Sequence, residues 1–144
     1  MSSRCRYLSG TLTTSGERRD LIVDDGRFTH GFIVSDFFLW PARGSQLGDM
    51  SCVVATKSNG AATPMLAEDS RQVAWGYCGV SPTPQGIVTH YRPEEVILEE
   101  LMILADFAGA FTDGLNYLIK LEPVIITDSQ AALVLINNKA QDLS

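Results

Sequence analysis

Two histidines, His30 and His90, are all that the 144 residues supply. A hydrolytic triad needs a serine or cysteine nucleophile beside a histidine and an orienting acid, and no G-x-S-x-G elbow is present. The chain is therefore expected not to be an enzyme, and no catalytic residue is nominated. Cysteine is scarce as well. Cys5, Cys52 and Cys78 are too few and too far apart for a zinc knuckle or a CxxC redox pair, and an odd count suits a secreted disulfide scaffold poorly. They read as reduced, partly buried thiols of a protein made in a cytoplasm.

Positive charge is also in short supply: 11 Lys and Arg against 17 Asp and Glu leave a net charge of −6 and a pI near 4.7. Neutralising phosphates requires clustered cations, so specific nucleic-acid binding is not expected. One local exception is the basic start, with Arg4, Arg6, Arg18 and Arg19, set against a later acidic segment with Glu94, Glu95, Glu99, Glu100 and Asp106. Two solvated faces explain this; a complementary contact between copies is the sharper reading. Long apolar runs are missing too. The most apolar stretch, 96-VILEELMILADFAGAF-111, is interrupted by three acids and is too short to span a bilayer. The opening MSSRCRYLSG has no apolar h-region, so neither a signal peptide nor membrane insertion is expected.

Ligand motifs are equally sparse. Gly76 and Gly79, in 75-WGYCGV-80, fall within an expected strand with no helix after them to face an anion, so they mark a bulge or a close backbone approach instead of a phosphate loop. The neighbouring acids Asp24-Asp25, Glu94-Glu95 and Glu99-Glu100 point to opposite faces of a strand and make no glycosidase dyad. No D-x-D-x-D-G calcium loop occurs. No cofactor-binding or metal residue is nominated. Trp40, Trp75, Tyr77 and Tyr91 allow a stacking platform for a sugar ring, with Trp75 and Tyr77 sharing a face at i, i+2. Packing within a core is the simpler account of them.

What the sequence does contain is strand pattern. Its length suits one domain, 1–144, large enough to bury a core without staples. Runs rich in Val, Ile, Thr, Phe and Tyr predict about eight strands, near 4–14, 18–24, 27–40, 49–57, 71–80, 86–91, 95–105 and 115–126. Turn chemistry separates them at Ser15-Gly16, Asp25-Gly26, Asn59-Gly60, Pro82 with Pro84, and Asp113-Gly114. In 115-LNYLIKLEPVIIT-127, polar residues alternate with Tyr117, Ile119 and Leu121, and Pro123 calls for a bulge or an edge there. The segment 92-RPEEVILEELMILADFAG-109 carries helix signals in its proline, its glutamates and the spacing of Ile97, Leu101, Leu104 and Ala108. Its place before a strong strand, as an antiparallel partner, tips it toward strand. After Thr127 the period changes. A capping box to Gln130 and a stripe of Ala132, Ile136, Ala140 and Leu143 predict a short helix over about 128–141. It would close the end of the protein's own core or dock on a neighbouring subunit. The expected fold is an all-β, jelly-roll-like antiparallel sandwich with this C-terminal helix.

Three stretches, 7-YLSGTLTTSGE-17, 22-IVDDGRFTHGFIV-34 and 116-NYLIKLEPVIITDSQAALVLINNKAQ-141, give the chain a loose similarity to small β-sandwich structural proteins of bacteriophage virions, those of marine phages in particular. The resemblance implies a non-enzymatic capsid, cement or decoration, or tail or spike subunit. Such a subunit is synthesised in the host cytoplasm, is located in the virion, and has itself and other virion proteins as partners, with no membrane. A carbohydrate- or ligand-binding sandwich module is the competing expectation.

The stretch 21-LIVDDGRFTHGFIV-34 gathers two aspartates, an arginine and a histidine. Asp25-Gly26 suits a two-residue type I′ hairpin. That register would set Val23 opposite Phe28, Leu21 opposite His30 and Ile22 opposite Thr29, placing His30 on the face away from the aspartates at the tip.

Overall fold

A computed structural model describes residues 5–23, 30–42, 48–56, 65–66, 71–79, 86–93, 96–97, 100–107, 111 and 113–125. They form eight strands: β1 (Arg6–Leu12), β2 (Arg18–Ile22), β3 (His30–Pro41), β4 (Met50–Ala55), β5 (Gln72–Cys78), β6 (Val88–Tyr91), β7 (Glu100–Phe107) and β8 (Leu115–Ile125). Each overlaps a strand expected from sequence, and no helix occurs among the described residues. The helix expected over 128–141 lies outside them.

All ladders are antiparallel. A three-stranded sheet has the order β1-β8-β3, and a five-stranded sheet the order β2-β7-β4-β5-β6. The pairing is nested: the first strand pairs with the last, the second with the second-last, and the fourth with the fifth. The remaining members, β3 and β6, lie against each other across the gap between the sheets. One core fills that gap, with Leu12, Phe32, Val34, Phe37, Leu39, Tyr117, Ile119 and Leu121 from the smaller sheet facing Cys52, Val54, Ala74, Leu101 and Ile103 from the larger.

Two expected pairings are corrected. β2 and β3 do not form a hairpin: Leu21 pairs with Leu101, Ile22 with Glu100, and His30 with Ile125. The tip residues 24–29 are outside the described set. The chain crosses from one sheet to the other between these strands, so the short-loop rule that fixes hairpin register does not apply. The same reason undoes the expected β7–β8 partnership. Residues 100–107 do form a strand, but it pairs with β2 and β4, while β8 belongs to the other sheet. The expected strand over 95–105 is also divided, since Ile97 makes a separate antiparallel bridge to Phe32.

Local irregularities keep the core apolar. A bulge between Val34 and Asp36 in β3 shifts the register by one residue. Phe32 and Val34 face inward before it, Phe37 and Leu39 after it. Without the shift, Asp36 would follow Val34 into the core. Pro123 sits in β8, which is central in its sheet, yet breaks no ladder. Phe32, its partner in register, exchanges both backbone hydrogen bonds with Ile97 (2.9 and 2.7 Å). The Phe32–Pro123 pair is therefore a non-hydrogen-bonded one, and the proline nitrogen faces the side where β1 has already ended at Arg6–Leu121. Pro123 thus lies past the described end of the β1–β8 ladder, close to the edge that was one of the two expected alternatives.

Of the expected turns, Ser15-Gly16 is a β-turn closed by Glu17 N–H to the Thr14 carbonyl (3.0 Å), with Gly16 at φ 81°, the position that a type II turn reserves for positive φ. Gly76 has a different reason. A Cβ there would stand 2.2 Å from Leu39 Cδ1, so the sheets meet where β5 offers no side chain. The close approach expected of this glycine is present; Gly79 lies just past the end of β5.

Candidate interaction surfaces

Strand alternation puts Tyr7, Ser9 and Thr11 of β1, Asn116, Leu118, Lys120 and Glu122 of β8, and Ile33, Asp36, Phe38 and Trp40 of β3 on the outer face of the three-stranded sheet. Register arranges them in rows: Tyr7–Lys120–Asp36, Ser9–Leu118–Phe38 and Thr11–Asn116–Trp40. Tyr7 is 55% exposed and Phe38 and Trp40 each 44%. Three aromatic side chains thus stand in solvent around the half-buried Leu118. The hydroxyl of Thr11 donates to Asn116 Oδ1 at 2.5 Å, fixing the polar end of the face.

The outer face of the five-stranded sheet is built differently. At its centre Val53, Met102 and Leu104 are buried, making that sheet apolar on both sides. Among the described residues its aromatics gather at the β5–β6 margin. Trp75 pairs with His90 and Tyr77 with Val88. The Tyr77 ring lies alongside the exposed His90 imidazole (6.0 Å between centroids, 28° between planes), and the Arg92 guanidinium sits 5.3 Å from the Trp75 ring centroid. Trp75 Nε1 donates to Gln72 Oε1 at 2.8 Å, the same oxygen that accepts the Leu66 N–H at 2.7 Å.

The core-packing reading of the four aromatics is therefore corrected. Trp40, Tyr77 and Tyr91 are exposed, Trp75 is half-buried, and the buried aromatic volume comes from Tyr117, Phe37, Phe111 and Phe32. Nor do the four make one platform. Trp40 belongs to the three-stranded sheet, Trp75 and Tyr77 share a face of β5, and Tyr91 pairs with the buried Ala74, on the opposite side of the ladder.

Two arginines of the basic start, Arg6 and Arg19, are used within the chain. β1 and β2 are joined by a tight turn yet lie in different sheets, and arginines do there what a ladder would do in a hairpin. Arg6 donates from Nη1 to the Val23 carbonyl (2.6 Å) and from Nη2 to that of Ile22 (3.1 Å), while Arg19 Nη2 donates to the Thr11 carbonyl (3.0 Å) and to Glu17 Oε2 (2.6 Å). Arg19 also meets the hydroxyl of buried Tyr117, which lies over Gly10. The bonds to Tyr117 and then Glu17 raise the Arg19 pKa above its ordinary value. Burial pushes the Glu17 pKa up, but hydrogen bonds from Arg19 and from the Thr13 and Thr14 amides outweigh it, and the net shift is downward.

Cys52 and Cys78 are buried free thiols and Cys5 is an exposed one, so the expectation of partly buried cysteines holds for two of the three. Burial pushes the thiol pKa of both buried residues up, and the Cys78 thiol donates to the Gly48 carbonyl at 3.0 Å. Neither is poised as a nucleophile. A cavity of about 10 Å³ bordered by Ser51, Val53, Met65, Leu104 and Asp106 has room for roughly one water. Among the described residues no three His, Cys, Asp or Glu converge for a metal, and no helix is long and apolar enough to cross a membrane.

What the geometry defines is an all-β chain of two antiparallel sheets whose distinctive surface is an open aromatic sheet face. No protein-family model, no curated protein and no solved structure matches the chain.

Proposed function

We propose that the chain is a non-enzymatic structural protein of a bacteriophage virion, a capsid, cement or decoration, or tail or spike subunit, acting through self-assembly and protein–protein contacts. The observation that carries this reading is the exposure of Tyr7, Phe38 and Trp40 on the outer face of the three-stranded sheet, around the half-buried Leu118. Large aromatic side chains left in water together on one sheet face mark a candidate contact surface. The nested strand order supports the reading by analogy of fold. We take it as a jelly roll whose sixth strand pairs with the fifth, and jelly rolls recur in viral capsid and lectin domains. Partners in this account are further copies and other virion proteins, the chain being made in the host cytoplasm and residing in the particle. Probing a density gradient of purified particles with an antibody to the chain tests it: co-migration with the particle peak is expected, and recovery only in the soluble fractions would refute it.

A second reading, a carbohydrate- or ligand-binding module, draws on the outward placement of Trp75 and Tyr77 beside His90 and Arg92. Saturable quenching of tryptophan fluorescence by a glycan, lost in Trp75→Phe, would favour it. No response across a glycan panel would count against it.

A further inference from the structure

We infer that the outer face of the three-stranded sheet packs on the same face of a second copy, about a two-fold axis lying between β8 and β3 and parallel to the strands. This deepens the assembly reading and rests on it for its biological setting. The argument comes from the register. A two-fold axis in the plane of contact, running between two neighbouring strands, lays each of those strands over the other in the second copy. Because Lys120 stands beside Asp36, Leu118 beside Phe38 and Asn116 beside Trp40, the operation sets each Lys120 over the second copy's Asp36 and each Leu118 over the second copy's Phe38. The Asn116 amide likewise meets the indole of Trp40. Two opposite-charge pairs and two apolar pairs are made at once.

Other axes serve the face less well. An axis along β8 itself sets Lys120 against Lys120, and an axis across the strands through Leu118 sets Asp36 against Trp40. The ion pairs Arg18–Asp20 and Arg19–Glu17 use other residues, and no ion pair among the described residues takes up Asp36 or Lys120. On the outer face of the larger sheet the apolar centre, Val53, Met102 and Leu104, is buried.

With strands ~4.8 Å apart and a rise of ~3.4 Å per residue, the two superposed strands cover roughly 250 Å² per copy, about a third of a standard interface. A weak, concentration-dependent pair is therefore expected, of the kind that repetition within a larger assembly strengthens. The test is sedimentation velocity of the full chain from micromolar to near-millimolar concentration, with circular dichroism to confirm folding. The native chain is expected to shift toward dimer as concentration rises. Lys120→Asp and Asp36→Lys should each stay monomeric over the same range, and their equimolar mixture should restore dimer, because each variant then supplies the charge the other lacks. Phe38→Ser, which removes an exposed side chain, should weaken the native dimer by at least tenfold and serves if a charge variant folds poorly.

A native chain that is monomeric throughout, charge variants that dimerise like the native chain, or a mixture that stays monomeric would each overturn the inference. A monomeric chain that nonetheless co-migrates with particles overturns this interface and leaves the virion reading standing. A charge-dependent dimer absent from particles does the reverse.

Discussion

Replacing Gly76 with alanine puts a methyl carbon 2.2 Å from Leu39 Cδ1, with Leu39 Cγ at 3.5 Å and Thr89 Cγ2 at 3.6 Å. Carbon atoms are comfortable at about 3.5–4.0 Å, so the leucine tip has to retreat by roughly 1.5 Å. Only that terminal methyl is hit hard, and it belongs to a rotatable side chain. Leu39 is only 8% exposed, however, and its neighbours are packed. Overpacking of this sort costs about 1–3 kcal/mol, and a value near ~2 kcal/mol is expected. Leu39→Ala alone removes buried methyl groups and should cost ~2–3 kcal/mol. In the Leu39→Ala background the methyl at position 76 enters vacated space, so Gly76→Ala should cost about zero or stabilise slightly, a coupling of roughly 2 kcal/mol between the sheets. Urea unfolding of the four proteins, with the slope unchanged and only the midpoint moving, measures this. Additivity within ~0.5 kcal/mol would show that β5 and β3 do not meet at this point, and the packing of the two sheets described above would be wrong.

Other outcomes follow from the same structure. Gly114→Ala should destabilise by at least ~2 kcal/mol in thermal unfolding, because φ is 105° and a Cβ would stand 2.6 Å from the Leu12 carbonyl oxygen, a backbone atom with little room to move. Arg6→Met keeps the aliphatic stem but loses the bonds to the Ile22 and Val23 carbonyls; a loss of about 1 kcal/mol is expected, with faster hydrogen exchange confined to β1 and β2. A thiol reagent should modify Cys5 at once and Cys52 and Cys78 only at the rate of unfolding, so that early labelling of two sites in the native protein would contradict their burial. The depressed Glu17 pKa means that its stabilisation is complete above its ordinary value of 4.5 and is lost as pH falls through the lower folded value. Glu17→Gln should remove that part of the acid sensitivity, seen as a flatter dependence of the urea midpoint on pH below about 4.5.

The strands were legible because each is bounded by residues with a backbone reason to turn. Ser15-Gly16 and Asp113-Gly114 do so where the structure describes them. Partner choice was not legible. Asp25-Gly26 has the chemistry of a tight hairpin, yet Leu21 finds Leu101 and His30 finds Ile125, because burying the apolar side of both sheets against each other outweighs a local turn preference. The segment 92–109 shows the same conflict: its helical spacing is real, but Leu101, Ile103 and Ala105 alternate into the core and over residues 100–107 the strand wins. The open aromatic face was hidden by one residue. Read with an uninterrupted period of two, Phe38 and Trp40 fall with Phe32 and Val34 on the core side, and Asp36 falls there too. That misplaced aspartate is the signal in the sequence that the register shifts near Ser35, turning Asp36, Phe38 and Trp40 outward.

Quantitative mass spectrometry of particles purified through a high-salt wash tests the assembly role most directly. The account predicts the chain at a fixed, reproducible copy number relative to the major shell protein, unchanged by the wash. Absence from the particle, or loss to a trace on washing, would contradict it.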